Sequence, residues 1–200
     1  CRELVPLFMK KYLSKTLKQY RKREPEYKGK GDIIVCLDES ASTFGENNAY
    51  GMAVAMVLYQ ICRVRKTNFA LIHFSSDIKV DYFPKNENVL TEKILDCAET
   101  FLGGGTDFEK PLSKVIELTA NGKLDKPDIV FITDGICSIS ENFTRLFDEF
   151  KTDTEAKLTG ILLDNGKYLD FSLQRVADRI YRTSELLKDE IVDDIISERI

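Results

Sequence analysis

Residues 32–38 read DIIVCLD and residues 128–134 read DIVFITD. Each segment is a short, continuously apolar run that ends in an aspartate, which is typical of a strand buried on both faces of a sheet. Longer amphipathic segments separate the apolar runs of the chain, and this alternation predicts a parallel sheet. Because parallel strands end at one edge, we expect Asp38 and Asp134 to emerge at the same edge of the sheet.

The pattern extends outward to six predicted strands, at residues 33–37, 69–74, 78–83, 129–133, 157–163 and 179–182. Predicted helices cover residues 48–66, 89–101, 108–118, 142–150, 171–177 and 184–197. The turn at residues 75–77 is too short for a parallel crossover, so the strand at 78–83 must pair antiparallel with the strand before it. These elements predict a doubly wound α/β fold: a mostly parallel, Rossmann-like sheet with one antiparallel edge strand and helices on both faces.

The composition of the 200 residues is that of a globular protein, with 43% hydrophobic and 31% charged residues. It excludes the disordered and fibrous classes. The longest mostly apolar stretch, residues 49–62, is shorter than the roughly 20 residues that span a bilayer. We also find no signal-peptide pattern, and we expect a cytoplasmic protein.

The net charge of −4 hides an uneven distribution. Residues 1–31 carry ten lysines and arginines against three glutamates, a charge of +7, which leaves −11 for residues 32–200. Apolar residues at helical spacing predict a basic helix over residues 1–24, and Pro25 with the glycines after it predicts a linker over residues 25–31. We expect residues 1–31 to belong to a preceding helical region and residues 32–200 to form the domain itself.

The cysteines and the single histidine are expected to be structural. The five cysteines form no CxxC pair and their number is odd, so neither a disulfide framework nor a zinc site built from paired cysteines matches their spacing. We expect buried, reduced thiols. His73 lies within a predicted strand, and we expect a hydrogen-bonded core residue rather than a catalytic base.

Oxygen-bearing side chains follow the predicted strands. Ser40 and Ser42 come two and four residues after Asp38, where alternate side chains of a tight turn can point to one centre. Thr106 follows three glycines, and Asp134 ends the second quoted segment. Three hydroxyls and two carboxylates suit a small hard cation such as Mg²⁺, with Mn²⁺ or Ca²⁺ as other candidates. Neutral hydroxyl ligands leave the ion enough positive charge to attract an anionic oxygen from a partner.

Helix capping is the alternative explanation for the same residues. Ser40, Ser42 and Thr106 would then cap the helices that follow them, and both aspartates would merely end strands. Capping does not explain why all five positions fall at one sheet edge. We expect Asp107 to be a cap or a nearby hydrogen-bond acceptor rather than a direct ligand.

At these positions the sequence resembles the von Willebrand factor A family, whose metal-ion-dependent adhesion site combines a D-x-S-x-S motif with a downstream Thr and a downstream Asp. Here the motif consists of Asp38, Ser40 and Ser42, followed by Thr106 and Asp134. The resemblance covers residues 32–200 and implies the fold described above. It also implies a bound Mg²⁺ and a protein partner that donates a Glu or Asp side chain to the ion.

The segments CLDES, IHFSS and GGTD, at residues 36–40, 72–76 and 104–107, are similar to those of bacterial ViaA-like and CoxE-like members of this family, which partner MoxR-type AAA+ ATPases. The resemblance implies a non-enzymatic adaptor of such an ATPase. Two alternatives stay open. One is a metal-dependent phosphohydrolase that uses Asp38 and Asp134, although its nearest candidate base, Glu39, points by alternation away from the serines. The other is an RNA-binding protein that uses the basic helix.

Overall fold

Six strands form one sheet in the computed structural model, which describes residues 31–135, 137–163 and 171–183. The strands are β1 (Ile33–Asp38), β2 (Phe69–Phe74), β3 (Ile78–Phe83), β4 (Asp128–Thr133), β5 (Lys157–Leu162) and β6 (Arg179–Arg182). Their order across the sheet is β3-β2-β1-β4-β5-β6, and every neighbouring pair is parallel except β2 and β3. The predicted α/β fold with one antiparallel edge strand is confirmed.

The helices of the described ranges are α1 (Glu46–Arg65), α2 (Thr91–Ala98), α3 (Glu109–Ala120) and α4 (Glu141–Thr154). Short 3-10 turns occupy Ala41–Thr43 and Phe171–Arg175. Within these ranges no helix combines the length and the apolar character needed to cross a bilayer. The helices predicted over residues 1–24 and 184–197 lie outside the described residues, and the domain boundary predicted after residue 31 stays a prediction.

Three helix predictions differ from the structure by three residues or more, and one of them is α4, which was predicted over residues 142–150 but extends to Thr154. The helix predicted over residues 89–101 ends earlier, because the backbone N–H groups of Leu102 and Gly103 donate to Glu39 instead of continuing a helix. The α-helix predicted over residues 171–177 is wrong, since the chain forms only a 3-10 turn there.

Side chains along each strand alternate between two apolar layers, one on each face of the sheet. On β1, Ile34 and Cys36 pack with buried residues of α3 and α4, whereas Val35 and Leu37 pack with those of α1 and α2. All four side chains are fully buried. Because both faces are covered, the strands carry apolar residues at nearly every position, which explains the continuous apolar runs of the sequence.

Neighbouring strands β1 and β4 are followed by helices that pack on opposite faces of the sheet. The chain therefore leaves the ends of these two strands in opposite directions, which opens a crevice at the carboxyl edge. Asp38 is the last residue of β1, and Asp134 directly follows β4. Both aspartates thus lie at the edge where the sequence predicts the site.

Candidate functional site

The Asp38 carboxylate is fully buried and is held by hydrogen bonds from the loop after β1 and from the last residue of β4. Its Oδ1 accepts from the backbone N–H of Ser40 at 2.9 Å, and its Oδ2 accepts from Oγ1 of Thr133 at 2.5 Å. Oγ1 of Thr133 in turn accepts from the backbone N–H of Gly135 at 2.9 Å. The ends of β1 and β4 are therefore joined through this one carboxylate.

The two serines of the loop after β1 connect to Asp134. Oγ of Ser40 lies 3.1 Å from Oγ of Ser42, and Oγ of Ser42 donates to Oδ1 of Asp134 at 2.9 Å. Asn47, in the first turn of α1, donates from Nδ2 to Oδ2 of Asp134 at 3.4 Å. Together with the Ser40–Asp38 hydrogen bond, these contacts unite four of the five predicted residues.

Thr106 approaches the same position from the glycine-rich loop. A Cβ atom built on Gly135 would lie 3.4 Å from Oδ2 of Asp38 and 3.6 Å from Oγ1 of Thr106. Oxygen atoms from both residues therefore face one point, which stays open because residue 135 has no side chain. We refer to Asp38, Ser40, Ser42, Thr106 and Asp134 as the oxygen cluster.

Capping does not account for the serines of the oxygen cluster. Gly45 is the N-cap of α1, and no side chain caps the first turn of α1 or of the 3-10 turn at Ala41–Thr43. The capping explanation is therefore wrong for both serines. Asp107 is the residue that acts as expected of a cap, because its Oδ1 accepts from two backbone N–H groups at the start of α3, at 3.0 and 3.3 Å.

Backbone hydrogen bonds hold the glycine-rich loop against the loop after β1. The N–H of Ala41 donates to the carbonyl oxygen of Gly104 at 3.0 Å, and the N–H of Gly103 donates to that of Glu39 at 2.9 Å. Gly103 and Gly104 have φ angles of 67° and 93°, a region that glycine adopts without strain. Glycine at these two positions therefore allows the loop to bring Thr106 to the site.

The two carboxylates of the oxygen cluster have no cationic partner among the described residues, since no lysine or arginine there forms an ion pair with Asp38 or Asp134. Burial raises the pKa of Asp38 and the neighbouring charge of Asp134 adds to the increase, whereas hydrogen bonds from Thr133 and Ser40 oppose it. A buried carboxylate with a raised pKa gains free energy from any cation placed beside it.

The chemistry of the oxygen cluster fits a small hard cation. Every candidate ligand atom is an oxygen, from either a carboxylate or a hydroxyl, and Mg²⁺ prefers this donor type together with retained water. The open point beside Gly135 and the lack of a cationic partner within the described part of the chain are independent observations that agree with such a group.

Glu39 lies on the other side of the loop, as side-chain alternation predicts. Its Oε1 is 2.6 Å from Nδ1 of His73, and its Oε2 accepts from the backbone N–H of Leu102 at 3.1 Å. Glu39 and His73 are both fully buried. The prediction that His73 is a hydrogen-bonded core residue is confirmed, and both carboxylate oxygens of Glu39 are engaged away from the oxygen cluster.

Sequence reasoning missed Asn47 and Thr133, two polar residues that contact the oxygen cluster. Their partners lie 87 and 95 positions away along the chain, so no local pattern indicates the contacts. A signal was present for Thr133, since it is the last residue of β4 and β4 runs parallel beside β1. No comparable signal was present for Asn47.

The sequence profile of the von Willebrand factor type A domain matches residues 33–136, slightly more than half of the chain. The chain belongs to the von Willebrand factor type A family. The matched segment contains the whole oxygen cluster, and the family resemblance inferred from these residues is confirmed.

Three curated proteins are similar to this von Willebrand factor type A domain. Two are uncharacterized proteins of Methanocaldococcus jannaschii. One is 27% identical over 184 residues, which are 92% of this chain and 42% of the relative. The other is 32% identical over 169 residues, which are 83% of this chain and 42% of that relative. The regulatory protein ViaA of Proteus mirabilis is 24% identical over 168 residues, 84% of this chain and 34% of its own length. The chain thus spans less than half the length of each relative.

Solved structures share the fold. Proximal thread matrix protein 1 from the mussel byssus matches with a TM-score of 0.61 at 20% identity, over 84% of this chain and 46% of that one. A von Willebrand factor type A protein from Catenulispora acidiphila matches with a TM-score of 0.57 at 12% identity, over 84% of this chain and 42% of that one. At these identities the likeness shows the fold alone.

Proposed function

We propose that this von Willebrand factor type A domain is a non-enzymatic protein-interaction module that acts through a bound Mg²⁺. The oxygen cluster would hold the ion, and an acidic side chain of a partner protein would complete its ligand shell. The observation that carries this proposal is the joining of residues from three separate loops, of which the Ser42–Asp134 hydrogen bond at 2.9 Å is the most direct example.

The balance of charge in the oxygen cluster supports the role of the partner. Three of its five side chains are neutral hydroxyls, so an ion held there keeps part of its positive charge. When bound, Mg²⁺ supplies a strong attraction for an anionic oxygen, and a carboxylate is the natural protein source of one. A partner without an acidic residue at this place gains nothing from the ion, which gives the interaction its specificity.

Aromatic residues beside the oxygen cluster offer a further contact for the partner. Phe44, two residues after Ser42, is 76% exposed, and its ring packs edge-on against Phe101 with 5.3 Å between centroids. Exposed aromatic rings are enriched where proteins bind proteins. We expect the acidic residue of the partner to be flanked by an apolar side chain that covers Phe44.

The proposed partner is a MoxR-type AAA+ ATPase, for which this domain would be an adaptor. The similarity to a regulatory protein, ViaA of Proteus mirabilis, and the family motifs in the sequence support this choice. Because the chain spans less than half of its curated relatives, the proposal concerns this domain and not the activity of a whole protein.

The two alternative functions receive less support. A metal-dependent phosphohydrolase needs a positioned base, and the nearest further carboxylate, Glu39, is buried and bonded to His73 and Leu102. The alternative of RNA binding rests on the basic segment before the domain, and those residues lie outside the described part of the chain.

The proposal is tested by measuring the affinity of the domain for the MoxR-type ATPase encoded in the same genome, with Mg²⁺ and then with excess EDTA. We expect binding with Mg²⁺, loss of binding with EDTA, and an affinity at least about tenfold lower for Asp134→Asn. Asp107→Asn is the matched control, because it removes the same charge from a cap outside the oxygen cluster. Equal affinity in Mg²⁺ and EDTA would contradict the proposal.

A further inference from the structure

A second group of ligand-type side chains lies on the opposite side of the loop from the oxygen cluster. It consists of His73 on β2, Asp81 on β3 and Cys97 on α2, and one nitrogen, oxygen or sulfur atom from each lies within 4.8 Å of the others. Among the described residues it is the one group of three His, Cys, Asp or Glu side chains with this property. The proposed function makes no use of it.

The distances within this group match the edges of a tetrahedral metal site. Nε2 of His73 lies 3.2 Å from Oδ2 of Asp81 and 3.5 Å from Sγ of Cys97. Around a tetrahedral Zn²⁺, with bonds of about 2.0–2.1 Å to nitrogen and oxygen and about 2.3 Å to sulfur, the same edges measure about 3.3 Å and about 3.6 Å. The three ligands therefore need no rearrangement larger than a few tenths of an ångström.

The tautomer of His73 is fixed by Glu39. Nδ1 of His73 lies 2.6 Å from Oε1 of Glu39, and a carboxylate only accepts hydrogen bonds, so the ring proton is assigned to Nδ1. In the neutral ring that metal binding requires, the lone pair on Nε2 then faces Asp81 and Cys97. A histidine that donates to a carboxylate from one nitrogen and binds a metal through the other is a recurrent arrangement in zinc proteins.

Asp81 presents a buried oxygen whose hydrogen-bonding capacity the described residues do not satisfy. Oδ2 of Asp81 is shielded from solvent and has no hydrogen-bond partner. Nζ of Lys79 forms an ion pair with this oxygen at 3.3 Å, and Nε2 of His73 lies 3.2 Å away, but neither contact has the angles of a hydrogen bond. A buried oxygen of this kind needs an explanation, and an unfilled cation position is one.

Cys97 supplies the soft ligand, and it requires the cation in order to ionise. Its side chain is fully buried, and burial, with a contribution from the charge of Asp81, raises the pKa of the thiol to about 12. Without an ion the thiol therefore stays protonated at neutral pH. A bound divalent cation would release this proton to solvent and take the thiolate as a ligand.

We propose that Nε2 of His73, Oδ2 of Asp81 and Sγ of Cys97 bind one Zn²⁺ ion. A thiolate, an imidazole and a carboxylate are the ligand types that Zn²⁺ accepts together. The protein offers three ligands, and a water molecule would be the fourth. The two anionic ligands balance the charge of the ion, and the ammonium group of Lys79, which is 41% exposed and now 3.3 Å from Oδ2 of Asp81, would turn to solvent.

The proposed zinc site ties the edge of the sheet to α2 and stabilises the loop beside the oxygen cluster. Zn²⁺ on His73 strengthens the hold on Glu39, whose carboxylate and carbonyl oxygens fix Leu102 and Gly103. The zinc site does not depend on the proposed function, because none of its ligands belongs to the oxygen cluster.

The test is a titration of the metal-free, reduced protein with Co²⁺ in the presence of excess Mg²⁺, followed by absorption spectroscopy. We expect one equivalent of Co²⁺ to produce a thiolate-to-cobalt charge-transfer band and the strong visible bands of tetrahedral cobalt, and Zn²⁺ to displace it. Octahedral Co²⁺ bound only by oxygen atoms gives neither feature, so a spectrum without them would overturn the proposal.

Variants assign the signal to its ligands. Cys97→Ala should abolish the charge-transfer band, whereas Cys62→Ala, which removes an equally buried thiol from the same apolar layer, should keep it. Asp81→Asn, at a partly exposed position that is less critical for folding, should weaken Co²⁺ binding by at least about tenfold. Ser42→Ala, at an exposed position of the oxygen cluster, should leave the band intact, which separates the two sites. A band that persists in Cys97→Ala would refute the assignment.

Discussion

Asp38 holds the site together, because hydrogen bonds from the ends of two strands meet on its buried carboxylate. Thr133, the last residue of β4, provides one of these hydrogen bonds. Its hydroxyl donates to Asp38 and accepts from the backbone N–H of Gly135. One hydroxyl group thus positions a carboxylate on one side of the crevice and the backbone on the other.

Thr133→Val keeps the shape of the side chain and removes both hydrogen bonds. We expect a loss of about 1–3 kcal/mol in the free energy of unfolding, because a buried carboxylate loses a partner, together with weaker Mg²⁺ binding. Urea unfolding of the metal-free protein measures the first effect. Thr119→Val is the control, since the hydroxyl of Thr119 donates only to the carbonyl of Val115 within α3. If Thr119→Val lowered the free energy of unfolding as much as Thr133→Val, the special role of Thr133 would be contradicted.

At the scale of the element, the contact between α1 and the sheet sets the position of the site. A Cβ atom on Gly51 would lie 2.5 Å from Cδ1 of Leu37 and 3.3 Å from Cγ2 of Ile132, so the helix approaches β1 and β4 as closely as a glycine permits. The same helix carries Asn47, which contacts Asp134.

Gly51→Val should therefore destabilise the fold by about 1–3 kcal/mol, because the side chains it meets are fully buried and cannot yield without strain. The higher helix propensity of valine offsets only a few tenths of a kcal/mol of this loss. The measurement is again urea unfolding. Ala53→Val, on the exposed face of the same helix, should change stability by less than about 0.7 kcal/mol, and equal effects at both positions would argue against close packing at Gly51.

The elements that the sequence predicts best are those whose residues are decided locally. Strands β2, β3 and β6 have the predicted bounds, because apolar runs and turn residues delimit them. The end of α2 was predicted too late, since Leu102 and Gly103 bond to Glu39, a partner about sixty positions away.

The same distinction applies to the two candidate sites. Four members of the oxygen cluster were predictable because they end or follow the neighbouring strands β1 and β4, whereas Thr106 comes from the glycine-rich loop before α3. The His73–Asp81–Cys97 group was not, because its side chains come from two strands and a helix that only the folded chain brings together.

At the scale of the whole molecule, the free thiols of the described residues are part of the apolar layers. Cys36, Cys62 and Cys97 are buried and unpaired, and Cys137 is half-buried, as predicted for reduced thiols. Such groups favour the folded state only while they stay neutral.

Cys62 makes the free energy of unfolding depend on pH to a measurable extent. Burial raises its pKa from 9.0 to about 11, so above pH 9 the unfolded chain releases a proton that the folded chain keeps. The stabilising contribution is complete below pH 9 and is lost as the pH rises toward 11, at about 1.4 kcal/mol per pH unit.

Unfolding free energies of the protein and of Cys62→Ala, measured with chelator and reductant at several pH values, should therefore converge between pH 9 and pH 11, with the steeper decline in the protein that has Cys62. The other thiols contribute to both curves and cancel. Parallel curves would show that the buried thiol does not control this dependence.

The most direct test of the proposed Mg²⁺ module is a calorimetric titration of Mg²⁺ into the metal-free domain, performed in parallel on Ser42→Ala and Ser138→Ala. Ser42 belongs to the oxygen cluster, whereas Ser138 carries an exposed hydroxyl in the segment after β4, outside the cluster. We predict one equivalent of Mg²⁺ bound by the unaltered domain and by Ser138→Ala, and an affinity at least about tenfold lower for Ser42→Ala. No Mg²⁺ binding by the unaltered domain, or equal affinities in all three proteins, would contradict the account.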